Sequence, residues 1–307
     1  MKAIIINEDG VYKESNLSKF DFVDIFRLNI RDLRPVFSDL QVATILPRKR
    51  ALIINFGFIK AILSEKEIYI LRHNEKNTLN EFINTLKKCD YRNRKTEFYL
   101  FMLEKIFDAK QAQLEGKISK LEVTAEELLP RIQNKIGDGA FKELLHLKKR
   151  VSRMEARLNE IYMAVKEVLE GEDDFDELVS FGGGTKKGDI VSNRLEAESI
   201  LENFIEQIED SIGDIFRLKE EIEDVEEYVD LKLSSRRTDI VMLDLIATVI
   251  ALVFSFLAVV VGFFGMNLRN GMEDSLMAFY GVGLFLFFVS IFFFVLIFSF
   301  FKKKNIF

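Results

Sequence analysis

The chain is poor in the residues that build covalent or metal-held scaffolds. It has one cysteine, Cys89, no tryptophan, two histidines and three prolines in 307 residues. A single cysteine excludes an intrachain disulfide and a cluster of thiolate ligands. His73 and His146 lie far apart, each without a ligand-type neighbour, so both read as ordinary side chains rather than metal ligands. No Ser/His/Asp or Cys/His set is present, and the scattered carboxylates lack partners to raise their pKa values, so an enzyme is not expected. Excess positive charge is missing as well. The net charge of −6 argues against a nucleic-acid binder. The first twenty residues lack both the pattern of a secretory signal and the Arg/Ser-rich, acid-poor pattern of a transit peptide. No proline follows Pro130, and charge is absent from Leu245 to Phe264 and from Ala278 to Phe301.

Those two uncharged stretches are what the chain does have. At ~1.5 Å of rise per residue, about 20 helical residues cover a hydrocarbon core of roughly 30 Å. Both are expected to span a bilayer, the first over about 242–264 and the second over about 278–301. Arg236 and Arg237 precede the first, and Lys302, Lys303 and Lys304 follow the second. These flanks place both termini on the cytoplasmic or matrix side of an integral multi-pass membrane protein. The connector 265–277, which includes the polar tripeptide Gly265-Met266-Asn267, is then on the far side. Glu273 and Asp274 in the connector raise the local cation concentration, and Arg269 opposes them.

Ahead of the hairpin the expected fold class is α+β. Residues 1–95 read as a soluble α/β domain, with short β-branched runs at 3–6, 51–56, 59–63 and 68–71 and helices near 17–30 and 78–89. Pro35 and Pro47 are expected at element boundaries. Residues 96–188 read as a pair of helical arms followed by a hinge. The first arm is expected to break or kink near Pro130, with a turn at Gly137-Asp138-Gly139. The second carries Leu144, Leu147, Val151, Met154, Leu158, Ile161 and Val165 at three- and four-residue steps, a packing stripe. The stretch 171–189 is acidic and then glycine-rich. Gly184-Thr185-Lys186-Lys187 lacks the G-K-[ST] order and the preceding strand of a P-loop, so no nucleotide is expected.

Residues 189–241 read as a stalk helix that runs on into the first span. Leu201, Ile205, Ile208, Ile212, Ile215, Ile222, Val225 and Val229 keep an apolar seam, and a helix this long needs partners along its length. Its other faces are densely acidic. They read first as a solvated surface paired i,i+4 with lysines, and second as loose oxygen sites for divalent cations.

The string VVGFFGMN, between two apolar spans and ahead of a basic tail, resembles the CorA superfamily of magnesium transport proteins, in its eukaryotic Mrs-type branch. The stretches RDLRPVF, ILPRKRALIINFGFIKAILSEKEIYIL, TEFYLFMLEKIF and EEYVDLKLSSRRTDIVMLDLIA agree in order, so the resemblance covers nearly the whole chain. It implies a magnesium channel formed by a homopentamer with the first span innermost, Gly265-Met266-Asn267 at the entrance, and a soluble domain that senses cation. A mitochondrial inner-membrane address is common in this branch, but no leader is read, so the organelle stays open. Ser234 replaces the acidic residue that the branch usually carries three positions before Arg237, while Asp244 is kept.

On that reading a ring of copies repeats each lining residue around an axis. Counting back from Asn267, the expected lining is Val260, Phe256, Val253, Val249, Leu245, Val241 and Arg237, an apolar tube with a basic mouth; Arg237 reads equally as an anchor at the bilayer edge. Asn267 carboxamides would hydrogen-bond a still-hydrated magnesium ion, the transported species, and Met266 would support the turn. Two other readings stay open: a zinc or broad divalent transporter, and a membrane-anchored coiled-coil scaffold without transport. The expected partners are further copies of the chain and the lipid bilayer.

Overall fold

The computed structural model describes residues 1–38, 42–72, 76–91, 94, 96–134, 138–180, 187–265 and 276–303. The chain divides into two compact units, Met1–Glu227 and Tyr228–Phe307.

In the first unit, strands β1 (Lys2–Asn7), β2 (Tyr12–Asn16), β3 (Thr44–Arg48), β4 (Ala51–Asn55), β5 (Lys60–Leu63) and β6 (Glu67–Leu71) form one sheet in the order β2-β1-β6-β5-β4-β3. The strands expected to alternate with helices instead pair antiparallel throughout. Tight turns make this possible. Gly10 (φ 78°) turns β1 into β2 and Gly57 (φ 84°) turns β4 into β5, a backbone region open to glycine without a steric penalty. Pairing of Ala3 with Leu71 and Ile5 with Tyr69 then brings the last strand beside the first.

Helices α1 (Lys19–Phe26) and α2 (Arg34–Phe37) cover one face of the sheet. Phe22, Phe26, Leu33 and Val36 pack there with Ala51, Ile53, Ile62 and Tyr69. Helix α1 starts at a capping box: Ser18 Oγ accepts from the Asp21 amide at 3.3 Å, and Asp21 Oδ2 accepts from the Ser18 amide at 2.6 Å. The alternating residues Ile4, Ile6, Leu52, Ile54, Leu63, Ile68 and Ile70 are buried too, so both faces of the sheet are covered. After α3 (Lys76–Lys88), helix α4 (Phe98–Asn134) packs against β6 and α5, while α5 (Asp138–Glu170) and α6 (Glu172–Ser180) pack against β3.

Four local expectations change. Pro47 lies inside β3 rather than at its boundary; β3 is the edge of the sheet, where a missing backbone N–H is tolerated. Helix α4 continues through Pro130 to Asn134. Asp138 and Gly139 already belong to α5, and Gly137 is outside the described residues. The acidic stretch after Gly171 is helical: Glu172, Asp173 and Asp174 occupy the first turn of α6, where carboxylates favour the positive end of a helix, and Phe175, Leu178 and Val179 are buried. Residues 181–186 of the hinge are outside the described residues.

Helix α7 runs from Lys187 to Phe264 and contributes to both units. In the first unit Leu201, Phe204, Ile208, Ile215 and Ile222 are buried. Phe204 stacks on Phe107 of α4 at 4.1 Å with the rings 3° from parallel, and Gln111 Nε2 donates to Ser211 Oγ at 3.2 Å. The α5 stripe from Leu144 to Val165 is buried as expected. Lys219 pairs with Glu155 at 3.1 Å and Lys148 with Glu226, so α5 and α7 run antiparallel as neighbours. The second unit holds the rest of α7 and α8 (Leu276–Lys303).

Candidate functional site

Gly265 follows the last residue of α7, and its amide donates to the Val261 carbonyl at 2.9 Å, closing the final turn. Among the described residues, the nearest atom a methyl group at Gly265 would meet is the Val261 carbonyl oxygen at 3.4 Å. Met266, Asn267, Glu273 and Asp274 lie outside the described residues.

Within the second unit, α7 has two distinct faces. Met242, Ile246, Val249, Val253, Leu257 and Val260 are half-buried at steps of four and three residues, while the residues between them are exposed. On α8 the half-buried residues are Val282, Leu286, Val289 and Ser290. Phe256 lies 6.2 Å from Phe293 across the pair, so these are the faces by which the two helices meet. The lining read from the sequence therefore straddles two environments. Val249, Val253 and Val260 are half-buried on the α8 side, and Phe256, though exposed, meets Phe293 there, whereas Arg237, Val241 and Leu245 are exposed.

At 100° per residue, the side of α7 opposite α8 carries Ala247, Ala251, Ser255, Ala258 and Gly262, all exposed, in one continuous row. Arg237 and Asp244 extend the same row toward the N-terminus. Sequence reading missed it because counting back from Asn267 in threes and fours admits more than one phase. The recurrence of small residues every three or four positions was the available signal. Two hydroxyls in this region are satisfied locally: Thr238 Oγ1 donates to the Ser234 carbonyl at 3.0 Å and Thr248 Oγ1 to the Asp244 carbonyl at 2.8 Å.

Among the described residues one helix is long and apolar enough to cross a membrane, and its most apolar window, in the downstream part of α7, has none of its residues buried. The described apolar part of α8, Phe279–Val295, is shorter. This is an inside-out surface for water and an ordinary one for hydrocarbon.

The first unit offers little reactive chemistry. Among the described residues no group of three or more His, Cys, Asp or Glu side chains is placed to hold a metal. His146 is exposed, and His73 is outside the described residues. Cys89 Sγ donates to the Thr85 carbonyl at 3.4 Å, and burial pushes its thiol pKa up, away from a reactive thiolate. A cleft of about 130 Å³ between α4 and α7 is lined by Glu104, Asp108, Ser199, Asn203 and Gln207 with Phe107 and Phe204. Beside it, burial raises the pKa of Glu196, with repulsion from Glu104 and Glu97 adding to the effect. Of the acidic residues on α7, Glu226 is tied to Lys148, and Asp214 pairs with Arg217 at 2.9 Å.

Comparison with known proteins supplies the family. The chloroplastic magnesium transporter MRS2-11 of Arabidopsis thaliana is 23% identical over 303 residues, an alignment that takes in 91% of this chain and 66% of the relative. The mitochondrial inner membrane magnesium transporter MRS2 of Yarrowia lipolytica is 26% identical over 289 residues, 86% of this chain and 67% of the relative. The mitochondrial magnesium transporter MRS2 of Saccharomyces cerevisiae is 24% identical over 290 residues, with 92% and 61% covered. The chain thus spans about two thirds of the length of these relatives. The structure of the CorA magnesium transporter from Methanocaldococcus jannaschii has the same fold at a TM-score of 0.68 and 13% identity, over 96% of this chain and 97% of that one. The full-length CmaX protein aligns at a TM-score of 0.61 and 11% identity, over 95% and 97%. The model of the MRS2-like magnesium transporter family matches residues 2–237, most of the chain, and the protein belongs to that family.

Proposed function

We propose that copies of this chain assemble into a ring in a membrane and conduct magnesium through a pore along the ring axis. The observation that carries this reading is the membrane-length part of α7, with none of its most apolar window buried. It is joined to the family match, whose relatives are named as magnesium transporters. One helix pair cannot enclose a pore, but a cyclic oligomer repeats one helix face around an axis; a homopentamer is the expected ring. Helix α8 is the second span, and both termini lie on one side. Gly265, Met266 and Asn267 stand at the entrance, where the Asn267 carboxamides meet the hydrated ion, and Glu273 and Asp274 enrich cations nearby. Magnesium sheds water reluctantly, so a neutral ring of amides captures it weakly enough for release. The driving force is electrical: a divalent ion gains about 4.6 kcal/mol per 100 mV on moving to the negative side, twice the single-charge value. The first unit senses cation on its own side of the membrane and biases the pore toward closure.

Two lining faces are in competition. The seam from Val260 to Arg237 puts an apolar wall against the ion. The row Gly262, Ala258, Ser255, Ala251, Ala247, Asp244 and Arg237 is favoured by the burial pattern, because α8 already occupies the side of α7 that carries Val249, Val253 and Val260. Cysteine substitution separates them. Thiol reagents added from water should reach cysteine at 247, 251, 255 and 258, and spare 249, 253 and 260. The transport reading is tested by uptake into liposomes: Asn267→Ala should abolish magnesium flux while leaving the chain folded. Unchanged flux would leave a membrane-anchored scaffold as the better account, and zinc flux exceeding that of magnesium would change the cargo.

A further inference from the structure

The first unit carries two exposed charged rows of opposite sign on neighbouring helices. On α5, the side turned away from the buried Leu144–Val165 stripe presents Lys142, Lys149, Arg150 and Arg153 around His146, all exposed. Among the described residues none of these four cations forms an ion pair. The pairs that α5 does make with α7 use Lys148 and Glu155 on its flanks. On α7, the side turned away from Phe204, Ile208, Ile215 and Ile222 presents Glu220, Glu223, Asp224 and Glu227, again exposed. Phe216, 61% exposed, heads that row one turn earlier.

Each row is four or more like charges on one helix face, which repel one another and leave each other's fields uncompensated. They cannot meet within one copy, since both point outward from helices already packed side by side. They can meet between copies. We infer that the basic row of α5 in one copy docks on the acidic row of α7 in the next, a head-to-tail contact between the soluble units of the ring. The contact joins two different surfaces, so it is heterologous, and repetition closes a ring when the rotation closes.

The heights agree. Lys148 faces Glu226 and Glu155 faces Lys219 across the antiparallel pair, so Lys149 to Arg153 stand level with roughly the 221–225 stretch of α7. A rotation axis along α7 keeps that level from copy to copy, bringing Lys149, Arg150 and Arg153 to Glu220, Asp224 and Glu227. Phe216 then supplies an aromatic face for an arginine at the edge of the contact. Single exposed ion pairs add little; a row against a row in a partly desolvated contact adds more and selects the partner.

The inference rests on the ring proposed above, and the experiment distinguishes the two. The full chain is purified in detergent and its mass measured by light scattering, with circular dichroism as the fold control. The wild-type chain should be an oligomer that higher salt weakens. Lys149→Glu/Arg150→Glu/Arg153→Glu should lose the oligomer, as should Glu220→Lys/Glu223→Lys/Glu227→Lys. The two sets combined in one chain should restore it. An oligomeric wild type whose mass ignores both reversals, or that the combined chain fails to restore, overturns the contact and leaves the ring standing. A monomeric wild type overturns both. A milder variant guards against misfolding: Arg153→Cys with Glu220→Cys in a Cys89→Ser background should give a ladder of linked chains on oxidation, and absence of linkage overturns the contact.

Discussion

The two ends of α7 solve opposite problems with the same backbone. In the first unit Leu201, Phe204, Ile208 and Ile215 are at most 1% exposed, with Phe204 stacked on Phe107 of α4. In the second, Leu252, Phe254, Val259 and Phe263 are 67–71% exposed. Apolar periodicity gives way to apolarity on every side, so the first stretch is amphipathic and the second is not. One helix thus carries two kinds of surface, and the proposed membrane placement of its downstream part accounts for the second. Upstream, burial of a stripe supplies the stability; downstream, the chain contributes one face to α8 and leaves the others exposed.

The largest test of that contrast is a matched pair of truncations. Phe204→Ala removes a ring stacked on Phe107 and should lower the unfolding free energy by about 3–5 kcal/mol in chemical denaturation. Phe254→Ala removes an exposed ring and should leave the same transition where it is. Equal effects would break the comparison.

Glycines sharpen it. At Gly57 (φ 84°) an added methyl would meet the Arg157 guanidinium at 2.7 Å, whereas at Gly262 nothing among the described residues lies within 4 Å. Gly57→Ala should therefore destabilise by roughly 1–3 kcal/mol, read as a lower melting temperature. Gly262→Ala should leave melting unchanged and, if copies pack as in the proposed ring, act only on assembly or flux, since small residues allow close helix approach.

Smaller again is the start of α1. Ser18→Ala removes one half of the capping box and should lower stability by about 1 kcal/mol. Asp21→Asn should weaken the same cap from its other side. No effect from either would mean that packing of Phe22 and Phe26 alone holds the helix.

The smallest effect concerns charge. Burial, then repulsion from Glu104 and Glu97, holds the Glu196 pKa above its ordinary value. The ionised form is thus disfavoured in the folded chain: the penalty is absent below the unfolded pKa, grows as pH rises to the folded value, and is complete above it. Glu196→Gln should be slightly more stable than wild type at neutral pH, and the gap should close as pH falls through the carboxylate range. Thermal melts at both ends of that range check the sign.

Much of this architecture is legible in one dimension. The α5 stripe was readable because its period matches a helix, and β4 and β5 because they are short, β-branched and apolar. Strand β2, Tyr12–Asn16, was not. Its sequence YKESN has no buried face, and it exists because β1 offers an edge to pair with. Helix α6 was hidden by its acidic first turn, which reads as a loop until Phe175, Leu178 and Val179 are seen to be buried. The proposed lining face of α7 is ambiguous for a different reason: an almost uniformly apolar segment has no phase of its own.

Length, hydropathy and period belong to the chain alone. They determined that α7 ends in a membrane-length apolar stretch, that α5 and α7 each bury a stripe, and that Gly265-Met266-Asn267 follows a helix. Tertiary packing decided the rest. The antiparallel order β2-β1-β6-β5-β4-β3, the place of Pro47 on an edge, and the side of α7 given to α8 depend on which surfaces meet. Hydrogen-bond pairing and side-chain contact between distant residues settle those questions, and no local pattern encodes them.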